Sequence, residues 1–209
     1  MLRVKICGLT TPQDAAAAVE FGADALGFNF FPGSKRYVRM ETARDWIAML
    51  PDQIEKVGIV VNPSWDDAKA AAGMAGITAL QLHGAETPEF CRRLKEEGIR
   101  FEKALPVSDP DSVAELPYFF TGTVLLDSGA GGEFGGSGQT FPWEIARDFV
   151  QGNPSLRVIL AGGLTPENVA EAVALVRPFG VDVTSGVESS PGRKDYRRLR
   201  AFIAAVRRA

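Results

Sequence analysis

Short apolar runs alternate with longer amphipathic stretches along the whole chain. The runs Arg3–Cys7, Ala25–Phe28, Lys56–Val61, Ala79–Leu82, Phe101–Leu105, Val124–Asp127, Val158–Ala161 and Gly180–Val183 are mostly β-branched or leucine-rich. Their near-continuous apolarity predicts strands buried on both faces. Between them lie helix signals. Thr11-Pro12-Gln13-Asp14 puts a capping hydroxyl before a proline, and Ala15–Phe21 runs on to Gly22 as a stop. Asn62-Pro63 and Thr165-Pro166 repeat that opening, and Thr87-Pro88-Glu89 precedes a helix over Phe90–Glu97 that Gly98 closes. Further helices are predicted near Glu41–Leu50, Asp109–Leu116, Trp143–Val150 and Asp195–Arg208.

Eight uninterrupted alternations argue for a parallel sheet with crossover helices, and eight units close naturally into a (β/α)8 TIM barrel. No linker, low-complexity tract or second composition interrupts them, so residues 1–209 read as one barrel domain. Two loops exceed what connection requires: Phe31–Tyr37 after the second strand, and Ser128–Thr140 after the sixth with its six glycines. Both leave carboxyl ends of strands, the face on which barrel active sites are built. A mobile lid or close backbone approach to a ligand accounts for such loops, and so does a plain surface loop.

Composition narrows the field. The chain is 45% hydrophobic and 23% charged, ordinary for a protein with a real core. A net charge of -3 gives no case for nucleic acid or an anionic membrane as partner. The basic cluster Arg197, Arg198 and Arg200 reads first as the solvated face of a terminal helix. Two cysteines, Cys7 and Cys91, carry no metal-ligand spacing, and nothing points to an oxidising compartment. A strand-like run that begins at the first residues leaves no room for a signal peptide, and no apolar run reaches membrane-spanning length. A soluble cytoplasmic protein, monomer or homodimer, is the expectation.

Polar residues at or just past the strand ends should converge on one mouth. Lys5 and Cys7 come from the first strand, Asn29 and Arg36 follow the second, and Gln81 and His83 belong to the fourth. Asp127 ends the sixth, while Asp182 and Ser185 belong to the eighth. A thiol at such a mouth, near helix N-termini, can be lowered below ~8.5 and act as a base; a cysteine at a strand end is also commonly just a small buried hydrophobe. An apolar pocket would raise Asp127 into a proton donor, although it can equally cap its own loop. His83, the one histidine, fits a general base or an ordering hydrogen bond. Ala161-Gly162-Gly163-Leu164 and Thr184-Ser185-Gly186-Val187 follow the seventh and eighth strands. Backbone amides there can cradle a phosphate, aided by the helix opened at Thr165-Pro166. Gly135-Gly136-Ser137-Gly138 lacks the G-x-G-x-x-G spacing of a dinucleotide site. No cofactor or metal is called for.

Together these motifs resemble the phosphoribosylanthranilate isomerase family over essentially the whole chain. The resemblance rests on Lys5-Ile6-Cys7-Gly8-Leu9-Thr10, Ser34-Lys35-Arg36-Tyr37, Gln81-Leu82-His83-Gly84, Leu125-Leu126-Asp127-Ser128, Phe134-Gly135-Gly136-Ser137-Gly138, Leu160–Leu164, Pro166–Val169 and Gly180–Glu188. It implies that Cys7 is the base, Asp127 the acid and Arg36 the holder of the anthranilate carboxylate, for which a planar fork suits better than lysine. It further implies phosphate on Gly162, Gly163, Ser185 and Gly186, while Lys5, Gln81, His83 and Asp182 are candidates for active-site support by their place on the strands. The implied reaction is an Amadori rearrangement of a phosphorylated sugar in tryptophan biosynthesis. Two positions depart from the pattern: Pro142 stands where an acidic residue is expected, and Thr184 where serine is usual. Rival readings are a histidine-pathway isomerase, which should end its first strand in aspartate, and indole-glycerol-phosphate synthase, which should carry a lysine–glutamate pair and an extra N-terminal helix. A non-catalytic phosphosugar-binding barrel is the third.

Overall fold

The computed structural model describes residues 2–113, 118–128 and 140–209. Eight strands, β1 (Arg3–Ile6), β2 (Ala25–Asn29), β3 (Glu55–Val60), β4 (Ala79–Leu82), β5 (Phe101–Val107), β6 (Thr123–Ser128), β7 (Arg157–Leu160) and β8 (Gly180–Val183), form a closed parallel barrel. β8 pairs back onto β1 with Val4 beside Val181 and Lys5 beside Asp182. Around it lie α1 (Pro12–Glu20), α2 (Met40–Ala48), α3 (Trp65–Ala72), α4 (Pro88–Glu96), α5 (Trp143–Gly152), α6 (Val169–Val176) and α7 (Tyr196–Arg208). This is the TIM barrel that the alternation predicts.

Side-chain alternation explains the layering. Val4 and Ile6 of β1 face outward into the core that also takes Leu26, Phe28, Leu126, Leu160, Val181 and Phe202. Lys5, between them, points inward. The strands are buried on both faces as expected, but their inward side chains are of two kinds, so the barrel interior is divided. One part is a small apolar cluster of Ala104, Leu125, Ile159 and Ala161. The other is charged: Lys5 Nζ donates to Asp182 at 3.2 Å and lies 3.8 Å from Glu102, to which Gln81 donates at 2.7 Å. Buried charges of this kind persist only when paired and hydrogen-bonded.

Several helix starts differ from the sequence reading. α1 and α4 are capped by Thr11 and Thr87 as expected. The opening assigned to Asn62-Pro63 lies at Ser64, whose hydroxyl accepts from the Asp67 N–H, while Asn62 takes a left-handed φ of 44°. Thr165-Pro166 opens a turn rather than a helix; α6 begins at Val169, and the Asn168 carboxamide oxygen accepts from the Thr165 N–H. A 3-10 turn, Pro110–Val113, stands at the start of the expected Asp109–Leu116 helix, whose remainder lies outside the described residues. The six-glycine segment after β6 also lies outside them. At the departure Pro142, α5 starts without a side-chain cap. After β8 come a 3-10 turn, Ser185–Val187, and a hairpin of β9 (Glu188–Ser190) and β10 (Arg193–Lys194). Among the described residues no helix is long and apolar enough to cross a membrane.

Candidate active site

At the carboxyl ends of the strands one pocket is lined by Cys7, Arg36, Gln81, His83, Asp127, Gly162, Gly163, Asp182, Ser185 and Gly186. Asn29, Ser34 and Thr184 also reach it. Of the residues picked from sequence only Lys5 is absent from the lining; it lies inside the barrel, fully buried, beneath Cys7.

Cys7 follows β1, its N–H held by the Val183 carbonyl at 2.9 Å. Gly27 makes room for it, since a Cβ on Gly27 would stand 2.7 Å from the Cys7 sulfur. Of the two readings open from sequence, a lowered thiol and a small buried one, the structure favours the second. Burial pushes the thiol up, Lys5 pulls it back down, Asp182 adds to the rise, and Lys194 and a hydrogen bond from Thr184 oppose it. The position is a buried strand end, so loss of water outweighs the nearby cations. Thr184, the departure from serine, thus keeps the hydroxyl function. Burial alone would lower the Lys5 ammonium, but Asp182, Cys7 and Glu102 outweigh it and leave Lys5 raised. Alkylation of Cys7 by iodoacetamide, followed peptide by peptide in the mass spectrometer, should therefore show a pH midpoint above ~8.5. A midpoint below that would mean that the cations win. Cys91, which burial pushes up to about 11, should likewise react only at alkaline pH.

Asp127 sits on β6, buried, with His83 Nε2 3.4 Å from its carboxylate. This pairing joins a residue from β6 to one just past β4. Asp182 is raised, first by burial, with Lys5 opposing and Glu102 and Asp127 reinforcing.

Arg36 is positioned by its loop: Asn29 accepts from the Phe31 N–H and Ser34 Oγ from the Arg36 N–H. Its side chain crosses Gly8, which has φ +72° and on which a Cβ would lie 2.6 Å from Arg36 Cδ. Only glycine fits there on both counts. The guanidinium is gripped by Glu188, which accepts from Nε at 3.0 Å and from Nη2 at 2.8 Å. Glu188 has no role in the sequence motif that holds it, and Lys194 does not stand out in the sequence; yet its Nζ donates to Glu188, to the Cys7 carbonyl and to the Thr184 carbonyl. The signal available was a lysine two residues past Ser190-Pro191-Gly192, but lysine beside a turn reads as solvent-facing.

The two glycine turns meet at the other side of the pocket. Gly162 and Gly163 have φ of +80° and +62°, and among the described residues no hydrogen bond engages their N–H groups. The Asn168 amide holds the Gly163 carbonyl away at 3.0 Å. A Cβ on Gly186 would lie 1.9 Å from the Leu164 carbonyl oxygen, so the turns after β7 and β8 touch backbone to backbone. Because α6 starts only at Val169, turn amides rather than that helix's first residues face the pocket. Arg198 is not simply a solvated residue: its Nε donates to the Gly186 carbonyl at 2.9 Å. Arg200 likewise stacks on Phe21, 4.6 Å from the ring centre.

Among the described residues no group of histidine, cysteine and carboxylate side chains could hold a metal. A thiol, a carboxyl and an imidazole around one pocket are groups suited to proton transfer.

The comparisons agree with that chemistry. Residues 4–205 match the family model for N-(5'-phosphoribosyl)anthranilate (PRA) isomerase. The chain is 45% identical over 208 residues to the N-(5'-phosphoribosyl)anthranilate isomerase of Geobacter sp. (strain M21), covering 100% of this chain and 99% of that one. It is similar to a crystal structure of phosphoribosyl anthranilate isomerase in complex with reduced 1-(o-carboxyphenylamino)-1-deoxyribulose 5-phosphate, with a TM-score of 0.87, 39% identity and 100% coverage of both chains. Monomers generated from the dimeric enzyme of Thermotoga maritima match with a TM-score of 0.84 and 38% identity, again over 100% of both chains. The chain therefore belongs to the N-(5'-phosphoribosyl)anthranilate isomerase family.

Proposed function

We propose that this barrel converts N-(5-phosphoribosyl)anthranilate to 1-(2-carboxyphenylamino)-1-deoxyribulose 5-phosphate in tryptophan biosynthesis, with Asp127 as acid and Cys7 as base. The observation that carries the reading is the meeting, in one pocket, of a thiol, a carboxyl, a guanidinium and two glycine turns. The substrate has an anion at each end, and the pocket has a partner for each. Phosphate goes to the amides around Gly162, Gly163, Ser185 and Gly186, and the anthranilate carboxylate to Arg36.

With its ends fixed, the furanose lies between the two reacting groups. Asp127 gives its proton to the ring oxygen as the C1–O bond breaks, leaving a protonated Schiff base. The Cys7 thiolate takes the proton from C2, and the electron pair moves into the C1–C2 bond to give an enolamine. C1 then takes up a proton and the C2 hydroxyl gives one up, which yields the ketone. C1 is reduced as C2 is oxidised, so electrons balance within the sugar. Lys5 and Lys194 work against burial to keep the thiolate within reach. His83 and Gln81 order the mouth, and Asp182 with Lys5 closes the floor beneath Cys7. A thiol base must stay reduced, and both cysteines are free, which suits the cytoplasm. One such barrel, alone or paired in a homodimer, is a complete catalyst on this reading.

Purified protein given phosphoribosylanthranilate should abolish its fluorescence with first-order decay; binding without turnover would leave a non-catalytic phosphosugar-binding barrel instead. The phosphate assignment has its own test. Gly186→Ala forces the Leu164 carbonyl and the β8 turn apart, so KM should rise about 10- to 100-fold, the range for one lost charge-assisted hydrogen bond. Inhibition by inorganic phosphate should weaken in parallel. Unchanged phosphate inhibition would place the phosphate elsewhere.

A further inference from the structure

We propose that the hairpin after β8 is a positioning strap: Glu188, held by Lys194, turns the Arg36 guanidinium so that its outer edge receives the substrate carboxylate. The inference rests on the reading of Arg36 as the carboxylate holder. Glu188 takes the Nε–Nη2 edge of the fork through Nε bonds of 3.0 and 3.1 Å and an Nη2 bond of 2.8 Å. A second carboxylate in the guanidinium plane must then approach along the Nη1–Nη2 edge. An arginine side chain loses rotamer freedom when it binds, and one that is already clamped loses less.

Glu188 alone would be a poor device, because its charge repels an incoming carboxylate. Lys194 answers this. Its side chain is completely buried, its Nζ lies 3.1 Å from Glu188 Oε1, and it also donates to the Cys7 carbonyl at 2.6 Å and the Thr184 carbonyl at 3.1 Å. Burial pulls Lys194 below the ordinary lysine range while Glu188 and Cys7 pull it back up; in its charged form it offsets the Glu188 charge, and its three bonds tie the backbone beside the thiol to the same frame. The hairpin is further pinned to the β1–α1 segment. Thr10 Oγ1 donates to the Gly192 carbonyl at 2.6 Å, and the Lys194 N–H donates to Asp14 at 3.1 Å. Base and carboxylate holder are therefore registered through one strap, although Cys7 and Arg36 lie on different loops. Glu188 and Lys194 are positioning residues, since they act through Arg36 and Cys7.

The test uses two substrates formed in place from ribose 5-phosphate: phosphoribosylanthranilate with anthranilate, and its carboxylate-free counterpart with aniline. The ratio of their kcat/KM values is measured on one sample, so an inactive fraction cancels. Wild type should favour the anthranilate by about 10- to 100-fold, the worth of a charge-assisted pair. Arg36→Met should bring the ratio near unity. Glu188→Gln, which keeps shape but loses charge, should lower it several-fold, mostly through KM for the anthranilate. Glu188→Asp, made alongside in case the amide variant does not fold, should do the same by drawing the carboxylate back. A wild-type ratio in Arg36→Met overturns the role of Arg36 and the inference with it. A collapsed ratio in Arg36→Met with a wild-type ratio in a folded Glu188 variant overturns the strap alone.

Discussion

Cys7→Ser should lower kcat by about 10²- to 10⁴-fold, the usual worth of a positioned base. The replacement is close to isosteric, and the site, which buries the side chain, asks little else of it. A hydroxyl ionises far above any thiol, so serine cannot take the C2 proton at ordinary pH. Binding should survive, because the groups assigned to the two anions are the turn amides and the Arg36 guanidinium, not the sulfur. Steady-state kinetics on a variant with an unchanged circular dichroism spectrum provide the check. Near-normal kcat would mean that some other group removes the proton, and Asp182, buried beside Lys5 in the same pocket, would then become the leading candidate.

Asp127→Asn should cost a similar factor of about 10² to 10⁴ for a different reason. The amide keeps the size and the neighbour His83 but has no acidic proton to deliver to the ring oxygen. Ring opening becomes the slow step, so the variant should still bind the reduced product analogue, which is already open, about as tightly as wild type. Titration calorimetry measures that directly. Full activity would hand the acid role to His83, which lies 3.4 Å away. Lost analogue affinity in a folded variant would instead make Asp127 a binding group.

Much of this was legible in the chain because strand periodicity and motif order are local. The eight strands are found within a residue or two of their predicted ends, and Thr11 and Thr87 cap helices as their proline-containing openings predict. Asn62-Pro63 and Thr165-Pro166 present the same letters to different surroundings. Asn62 is drawn away because its side chain accepts from the Ala85 N–H, and Thr165 because Asn168 closes a turn on it. Local capping signals lose when a tertiary partner competes for the same groups. The charged half of the barrel interior was hidden for a related reason. Lys5, Gln81, Glu102 and Asp182 come from four strands, and their pairing exists only once the barrel closes. The thiol's upward shift belongs to the same class, since burial is a property of the assembled mouth. Glu188 and Lys194 were missed because a short charged turn reads as surface until the structure buries it.

The most direct measurement is a crystal structure of this protein with the reduced product analogue. On this mechanism the Cys7 sulfur and the Asp127 carboxyl should lie on opposite sides of C1 and C2, each within about 3 to 3.5 Å of the atom it serves. The analogue's carboxylate should lie on Arg36 and its phosphate on the turns at Gly162-Gly163 and Ser185-Gly186. A sugar chain whose C1 and C2 lie out of reach of either group, or an analogue bound in reverse, would contradict it.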